Sequence, residues 1–215
     1  MSLQLEIGGG IVRELASWLA GLTLTVATIR YCYLIYLGRI KSSPAGWMIA
    51  AIAITIGYFA YWETSNPTWL GNIGQLLGAI EIWFVLGVLM WSLHRKNELG
   101  VEFDRFQWGC LLASLATVAL WKFTNRPDVA FVLLQVILVI SYIAVVGKLI
   151  TWKDNHDYTP MWVAIFTTSV FGFVPALMDR DSFGIINSIR AILASGITTV
   201  IMLRLDSRKK SNTPL

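Results

Sequence analysis

The chain has 215 residues, of which 56% are hydrophobic and only 14% are charged, and its mean hydropathy is +0.63. A soluble globular domain averages about 45–50% apolar and about 25% charged residues, so this composition excludes an ordinary soluble protein and indicates a helical integral membrane protein. The net charge of +4 does not indicate a nucleic-acid partner, because basic residues in a membrane protein mainly set its orientation.

Seven apolar segments follow one another along the chain, and short connections with turn chemistry separate them. A helix that spans a bilayer needs about 20 predominantly apolar residues, and each segment is close to that length. Acidic residues precede the first segment and no cleavable signal peptide is evident, so this segment is expected to remain as a helix. We therefore predict seven transmembrane helices, over 15–38, 44–62, 69–93, 106–123, 129–151, 160–178 and 182–205.

The basic residues are divided unequally between the two faces that these helices define. Eleven lie at one face, namely Arg39, Lys41, Arg95, Lys96, Arg105, Lys148, Lys153, Arg204, Arg208, Lys209 and Lys210. Four lie at the other face, namely Arg13, Lys122, Arg126 and Arg180. Because the more basic face of a membrane protein is cytoplasmic, we predict an external N-terminus and a cytoplasmic C-terminus.

The sequence also predicts an internal repeat of three helices. Four positions recur at an offset of 115 residues: Trp47 with Trp162, Gly57 with Gly172, Asn72 with Asn187, and Gln75 with Arg190. The segment 33–39 recurs as 142–148 at an offset of 109, and the difference falls in a loop, where insertions are tolerated. The alternative is that apolar helices resemble one another by chance.

A single linker helix between the two units gives both the same orientation, which is a recurrent plan among transporters. The predicted fold class is therefore an all-α integral membrane protein, with seven transmembrane helices arranged as two parallel three-helix repeats joined by a linker helix. The units are 15–93 and 129–205, the linker helix is 106–123, and 206–215 is a basic cytoplasmic tail.

This layout, together with Lys41-Ser42 after the first helix and an Asn early in the third helix of each unit, resembles the SWEET sugar transporters and the wider PQ-loop (MtN3-like) superfamily. The resemblance covers about residues 15–205 and implies a central solute site that contains Asn72 and Asn187. The Pro-Gln dipeptide that names the superfamily is missing from both units. The nicotinamide riboside transporters, which are similar in layout and in their many Trp residues, are the nearest alternative.

Four polar side chains in the third helix of each unit are candidates for the solute site. Asn72 and Gln75 are three residues apart and share a helix face, as do Asn187 and Arg190, so the four converge on one cavity if the units face each other. The alternative is that these groups form hydrogen bonds between neighbouring helices. Arg190 either extends toward the membrane surface or offers its guanidinium to an anionic or carbonyl-bearing ligand.

Glu81 and Arg30 are charged residues inside predicted spans. Glu81 is nine residues after Asn72 and therefore lies on the opposite helix face. Since the backbones of Arg30 and Glu81 differ in depth by only roughly 6 Å, we predict an intramembrane ion pair inside the first unit. The alternative is a carboxylate that couples transport to protons.

The sequence shows no catalytic set, no phosphate-binding loop and no metal-ligand spacing around its two His and two Cys residues, so we expect no enzyme, cofactor or metal site. The predicted function is transport of a small polar solute, sugar-like or vitamin-like, by alternating access between the two units. The rival is a non-transporting membrane receptor or scaffold on the same fold, which the missing Pro-Gln dipeptides favour. The expected partners are the solute and the lipid bilayer, and assembly into a homo-oligomer is left open.

Overall fold

The computed structural model describes residues 2–40, 42, 44–64, 67, 69, 73–96, 105–152 and 157–211. These residues form seven α-helices, namely α1 (Ser2–Tyr36), α2 (Pro44–Trp62), α3 (Ile73–Arg95), α4 (Arg105–Thr124), α5 (Pro127–Trp152), α6 (Thr159–Met178) and α7 (Ser182–Ser211). Six of them, all except α5, are long and apolar enough over their described residues to cross a membrane. Length and composition thus confirm the predicted class of helical, multi-pass membrane protein.

The helix ends differ clearly from the predicted ones in two places. Helix α1 begins at Ser2, well before the predicted start, whereas the predicted start of α3 adjoins residues 70–72, which lie outside the described ranges. Helix α7 continues to Ser211, through most of the stretch predicted as a tail. One reason is that the Thr159 hydroxyl donates a hydrogen bond of 2.8 Å to the Asp206 carboxylate, which holds this part of α7 against the start of α6.

Each helix packs on specific neighbours. Helix α1 contacts α3 and α6, α2 contacts α3, α4 and α5, and α7 contacts α5 and α6. Three alanines of α2, Ala51, Ala53 and Ala60, are fully buried, and small side chains of this kind let helix backbones approach closely. Many large apolar side chains of the other helices, such as Leu22 and Leu112, point outward, as a lipid-facing surface requires.

Successive helices run in opposite directions, so their connections alternate between two faces of the bundle. We call the face with the α1–α2, α3–α4 and α5–α6 connections the basic face, since it contains Arg39, Arg95 and Arg105, and the other the opposite face. At the basic face α1 ends at Tyr36, and Gly38, two residues later, has a φ of +69°, which lies in the left-handed region. The amides of Gly38 and Arg39 donate to the carbonyls of Ile35 and Leu34 and so close the helix end.

Candidate functional site

The predicted ion pair between Arg30 and Glu81 is not formed. The Glu81 carboxylate is buried between α1 and α3, where Thr25 and Thr28 donate hydrogen bonds of 3.1 Å and 2.7 Å to its two oxygens. Arg30 follows Thr28 by two residues, which is about 200° around the helix, so it points away from Glu81. Its guanidinium instead lies 5.6 Å from the centre of the Tyr33 ring on the exposed side of α1.

Of the two candidate residues in the first unit, Asn72 lies outside the described residues and Gln75 is buried near the start of α3. The Gln75 amide lies against α2, with Nε2 only 2.7 Å from where a Cβ on Gly57 would be. Its Oε1 atom is buried and has no hydrogen-bond partner. The recurring Gly57 and Gln75 therefore touch each other, and the glycine provides the space that the amide occupies.

In the second unit Arg190 and Asn187 are brought together, and Arg190 also bonds to a residue of α5. The Arg190 Nε donates a hydrogen bond of 2.7 Å to the Gln135 Oε1, and its Nη2 donates one of 2.9 Å to the Asn187 Oδ1. The Tyr142 hydroxyl lies beside the same guanidinium. Arg190 thus interacts with α5 and with its own helix, whereas its counterpart Gln75 interacts with α2. We call Arg190, Asn187 and Gln135 the arginine cluster.

The arginine cluster presents hydrogen-bond donors and no negative charge. Gln135 is 4% exposed, and since its oxygen accepts from Arg190, its Nε2 group points elsewhere and has no partner. Asn187 likewise uses its oxygen for Arg190. The ion pairs Arg13–Asp179 and Arg126–Asp128 lie elsewhere, and among the described residues no carboxylate forms an ion pair with Arg190.

A chain of hydrogen bonds connects the two units at the basic face. The hydroxyl of Tyr31, a fully buried residue of α1, donates a hydrogen bond of 2.9 Å to Asp157, just before α6. Trp162 of α6 donates to the same carboxylate at 3.1 Å. On the other side Ser42 lies 3.0 Å from the Tyr31 hydroxyl and accepts from the Trp47 indole. The recurring Trp47 and Trp162 are therefore linked through three polar groups.

A second contact connects the units at the opposite face. The hydroxyl of Tyr61, near the end of α2, donates to the carboxylate of Asp181 in the α6–α7 turn, and both residues are buried. Asp181 also accepts from the amides of Phe183 and Gly184 and so caps α7. We call Tyr31–Asp157 the basic-face contact and Tyr61–Asp181 the opposite-face contact. In each, a tyrosine of the first unit meets an aspartate of the second.

The sequence patterns did not identify Gln135, Asp157 or Asp181. Gln135 could have been noticed as an amide within a long apolar run, because such groups need a partner in a membrane. Asp181 directly precedes an apolar run, which is a helix-capping signal. Nothing in the sequence relates either aspartate to a tyrosine more than 100 residues away, since only the packing of the helices brings them together.

No known protein family, curated protein or solved structure matches this chain. Among the described residues, no group of three or more His, Cys, Asp or Glu side chains is placed to hold a metal ion. The basis for a function is therefore the geometry of this molecule itself.

Proposed function

We propose that the protein is a SWEET-like membrane transporter that moves a small polar solute, sugar-like or vitamin-like, by alternating access between its two three-helix units. Solute would bind between the units, near Asn72, Gln75, Asn187 and Arg190. The basic face would be cytoplasmic, so that the N-terminus lies outside and the C-terminus inside, as the unequal distribution of Lys and Arg predicts.

The pattern of helix contacts supports the repeat on which this proposal depends. If α1, α2 and α3 correspond to α5, α6 and α7, the α1–α3 contact pairs with α5–α7, and α2–α3 pairs with α6–α7. Contacts between the units pair as well, since α1 packs on α6 and α5 packs on α2. An axis along the membrane normal that relates two parallel repeats would produce this pattern.

The observation that carries the proposal is that polar groups within the spans lie between two faces, at each of which hydrogen bonds join the units. Gln75 and Gln135 are buried, Arg190 and Asn187 are partly exposed and bonded to each other, and a tyrosine–aspartate hydrogen bond joins the units at each face. In alternating access, one unit rocks against the other so that the two faces open in turn. Each of the two contacts includes a tyrosine–aspartate hydrogen bond, which can break when its face opens. The Arg13–Asp179 ion pair and the hydrogen bond from Thr168 to the Ala20 carbonyl also join α1 to the α6 side of the bundle and would have to rearrange in the same motion.

The rival proposal is a receptor or scaffold that binds its ligand without moving it. Helices α1 and α5 run without interruption through Cys32-Tyr33 and Ser141-Tyr142, near where the superfamily has its Pro-Gln dipeptide. This favours a more rigid bundle. The proline inside a helix here is Pro175, which is buried near the opposite-face end of α6 and removes a backbone donor there.

A flux assay separates the two proposals. The purified protein is placed in phosphatidylcholine vesicles, and entry of glucose, nicotinamide, glucuronate or nicotinate is followed by osmotic swelling. The two anions are supplied as potassium salts with valinomycin, so that charge movement is compensated. A transporter admits at least one solute faster than protein-free vesicles do, and entry saturates with concentration. A solute that stabilises the protein but does not enter any faster indicates a receptor.

The Asn residues provide the matched variants for this assay. Losing a partner at a polar site costs about 1–3 kcal/mol, so Asn72→Ala and Asn187→Ala should each weaken solute affinity by roughly 5- to 150-fold. Arg126→Gln, in an exposed α4–α5 loop, is the control that should leave entry unchanged. If the Asn side chains only join helices, both Ala variants lower the melting temperature while affinity in the folded fraction stays the same.

A further inference from the structure

We propose that the solute carries a negative charge and that its carboxylate or phosphate group binds to the arginine cluster, through Arg190 and the amide nitrogens of Gln135 and Asn187. This inference rests on the proposed function, because it names the class of solute for the same site. It follows from the position of the charge, the direction of the two amides and the space beside Gly172.

Arg190 is partly exposed and lies well inside the span of α7. It lies eight residues after Ser182, which is about 12 Å along α7 from the opposite face. Gln135 lies eight residues after Pro127 at the same face, and is therefore at a similar depth. Because Arg190 donates to Gln135 at this depth, its guanidinium does not extend to the membrane surface. A cation at this depth is costly unless a negative group accompanies it, and no described residue supplies one.

The two amides are turned so that they favour an anion. Gln135 and Asn187 both direct their oxygens at Arg190, which leaves their NH2 groups as donors for something else. Gln135 Nε2 is buried and has no partner, although most buried polar groups form a hydrogen bond. A ligand at this point meets a positive charge and amide donors. A carboxylate or phosphate, which has several acceptor oxygens, satisfies both, whereas a neutral hydroxyl leaves the charge uncompensated.

The second unit also has space that the first unit lacks. Gly57 of α2 is covered by the Gln75 amide, whose Nε2 lies 2.7 Å from the position of a Cβ. Gly172, its counterpart in α6, is buried, but no such neighbour lies within 4 Å of its Cβ position. Gly172 lies six residues before Met178 and so is about 9 Å from the opposite face, close to the depth of Arg190. In the first unit the Gln75 side chain fills the space beside Gly57. Its counterpart Arg190 points to α5 instead, so the space beside Gly172 stays open.

Two pairs of compounds that differ in one charged group test the proposal. Nicotinate and nicotinamide share a ring, as do glucuronate and glucose, and in each pair only the first is an anion at neutral pH. The melting temperature of the purified protein in detergent is measured against the concentration of each compound. We expect an anion to bind about 10- to 100-fold more tightly than its neutral partner, since hydrogen bonds to charged groups are the stronger ones.

Three variants assign the preference to Arg190. Arg190→Gln introduces glutamine, the residue type at the equivalent position Gln75 of the first unit, and should abolish the preference for the anion. Arg190→Lys keeps the charge without the planar guanidinium and should retain part of it. Arg30→Gln is the matched control, because Arg30 is also an arginine within a span but lies on the exposed side of α1, and it should keep the full preference.

The outcomes also separate this inference from transport itself. Equal binding of both members of each pair, no binding of either anion, or a preference that survives Arg190→Gln overturns the anion site. If glucose or nicotinamide nevertheless enters vesicles through the protein, the proposed transport function stands without it. If an anion binds in an Arg190-dependent manner but does not enter vesicles, the anion site stands and transport is overturned.

Discussion

Glu81 shows how a carboxyl group is accommodated inside this bundle by hydroxyl groups. Its neighbours in α1 are Thr25 and Thr28, and the shorter of the two hydrogen bonds, 2.7 Å, comes from Thr28. Both Thr28 and Glu81 are buried, so little water can replace a lost donor. The spacing of three residues places both threonines on one face of α1, which is the face that packs on α3.

We expect Thr28→Val to destabilise the protein by about 1–3 kcal/mol, because it removes a donor from a buried carboxyl group while keeping the shape of the side chain. The measurement is the melting temperature or the denaturant midpoint in detergent. Arg30→Gln is the control and should change neither. The contrary result would be that Arg30→Gln lowers stability as much as Thr28→Val does, and that this loss disappears when Glu81→Gln is also present. That result would show that Arg30 and Glu81 form an ion pair after all.

The residues of the arginine cluster show what sequence spacing can predict. Asn187 and Arg190 are three residues apart on one helix, so their proximity follows from helix geometry alone. Gln135 is 55 residues away in α5. At the offset of 109 its counterpart would be Val26, yet Val26 is 59% exposed and Gln135 is 4% exposed. Sequence alignment of the first helices therefore does not fix which face of each helix is buried.

At the scale of the helices, apolar length predicted seven elements well, but it predicted the ends less well. Helix ends depend on local backbone conformation and on contacts from other elements, and an apolar run contains neither. The stretch 206–215 was predicted as a basic tail, yet α7 continues to Ser211 and the bond from Thr159 to Asp206 holds its last turns against α6. The first span was predicted from residue 15, but α1 begins at Ser2.

After α1 the residue type and the backbone conformation agree, because a glycine, Gly38, stands where φ is positive. Its positive φ is unfavourable for residues with a Cβ, so Gly38→Ala should cost about 1–2 kcal/mol of stability. A Cβ at this position would lie 3.1 Å from the Lys96 Nζ, but that flexible side chain can move aside, so the backbone conformation causes the loss.

Gly87→Ala in α3 is the matched control for Gly38→Ala. No atom outside its own helix backbone and chain neighbours lies within 4 Å of its Cβ position, and Ala is the better helix former, so stability should stay the same or rise. The apparent melting temperatures of both variants in detergent provide the comparison. Equal losses for the two would show that the conformation of Gly38 is not what ends α1.

At the scale of the whole molecule, the correspondence between helices stays a prediction, and the sequence did not indicate how the two sets of three helices meet. The repeat was inferred from a few recurring positions, and two of these, Trp47 and Trp162, lie at the two ends of the hydrogen-bond chain at the basic face. The aspartates of the basic-face and opposite-face contacts, Asp157 and Asp181, lie beside helix starts and are not among the recurring residues from which the repeat was inferred. Their role depends on the packing of α1 on α6 and of α2 near α7.

If the two faces open in turn, the two tyrosine contacts should have opposite effects on access to the basic face. Cys32 reports this access, because it is buried next to Tyr31 in an apolar cluster that also contains Met161 of α6. Tyr31→Phe removes a bond to a carboxylate, which is typically worth about 1.5–3 kcal/mol, and favours opening at this face. Tyr61→Phe weakens closure at the other face and so draws the population away from the state in which Cys32 is accessible.

We therefore expect Tyr31→Phe to raise the rate at which a water-soluble maleimide labels Cys32 by about 10- to 100-fold, and Tyr61→Phe to lower it. Cys110 is the internal control, because it is buried among side chains of α2 and α5, away from Tyr31, and its labelling should not change. The protein is assayed in sealed vesicles with its own two cysteines, and the labelled peptides are quantified by mass spectrometry. Faster labelling of both cysteines in both variants would indicate general loosening of the bundle. An unchanged rate for Cys32 in Tyr31→Phe would show that this contact does not control opening, which is the result expected of a rigid receptor.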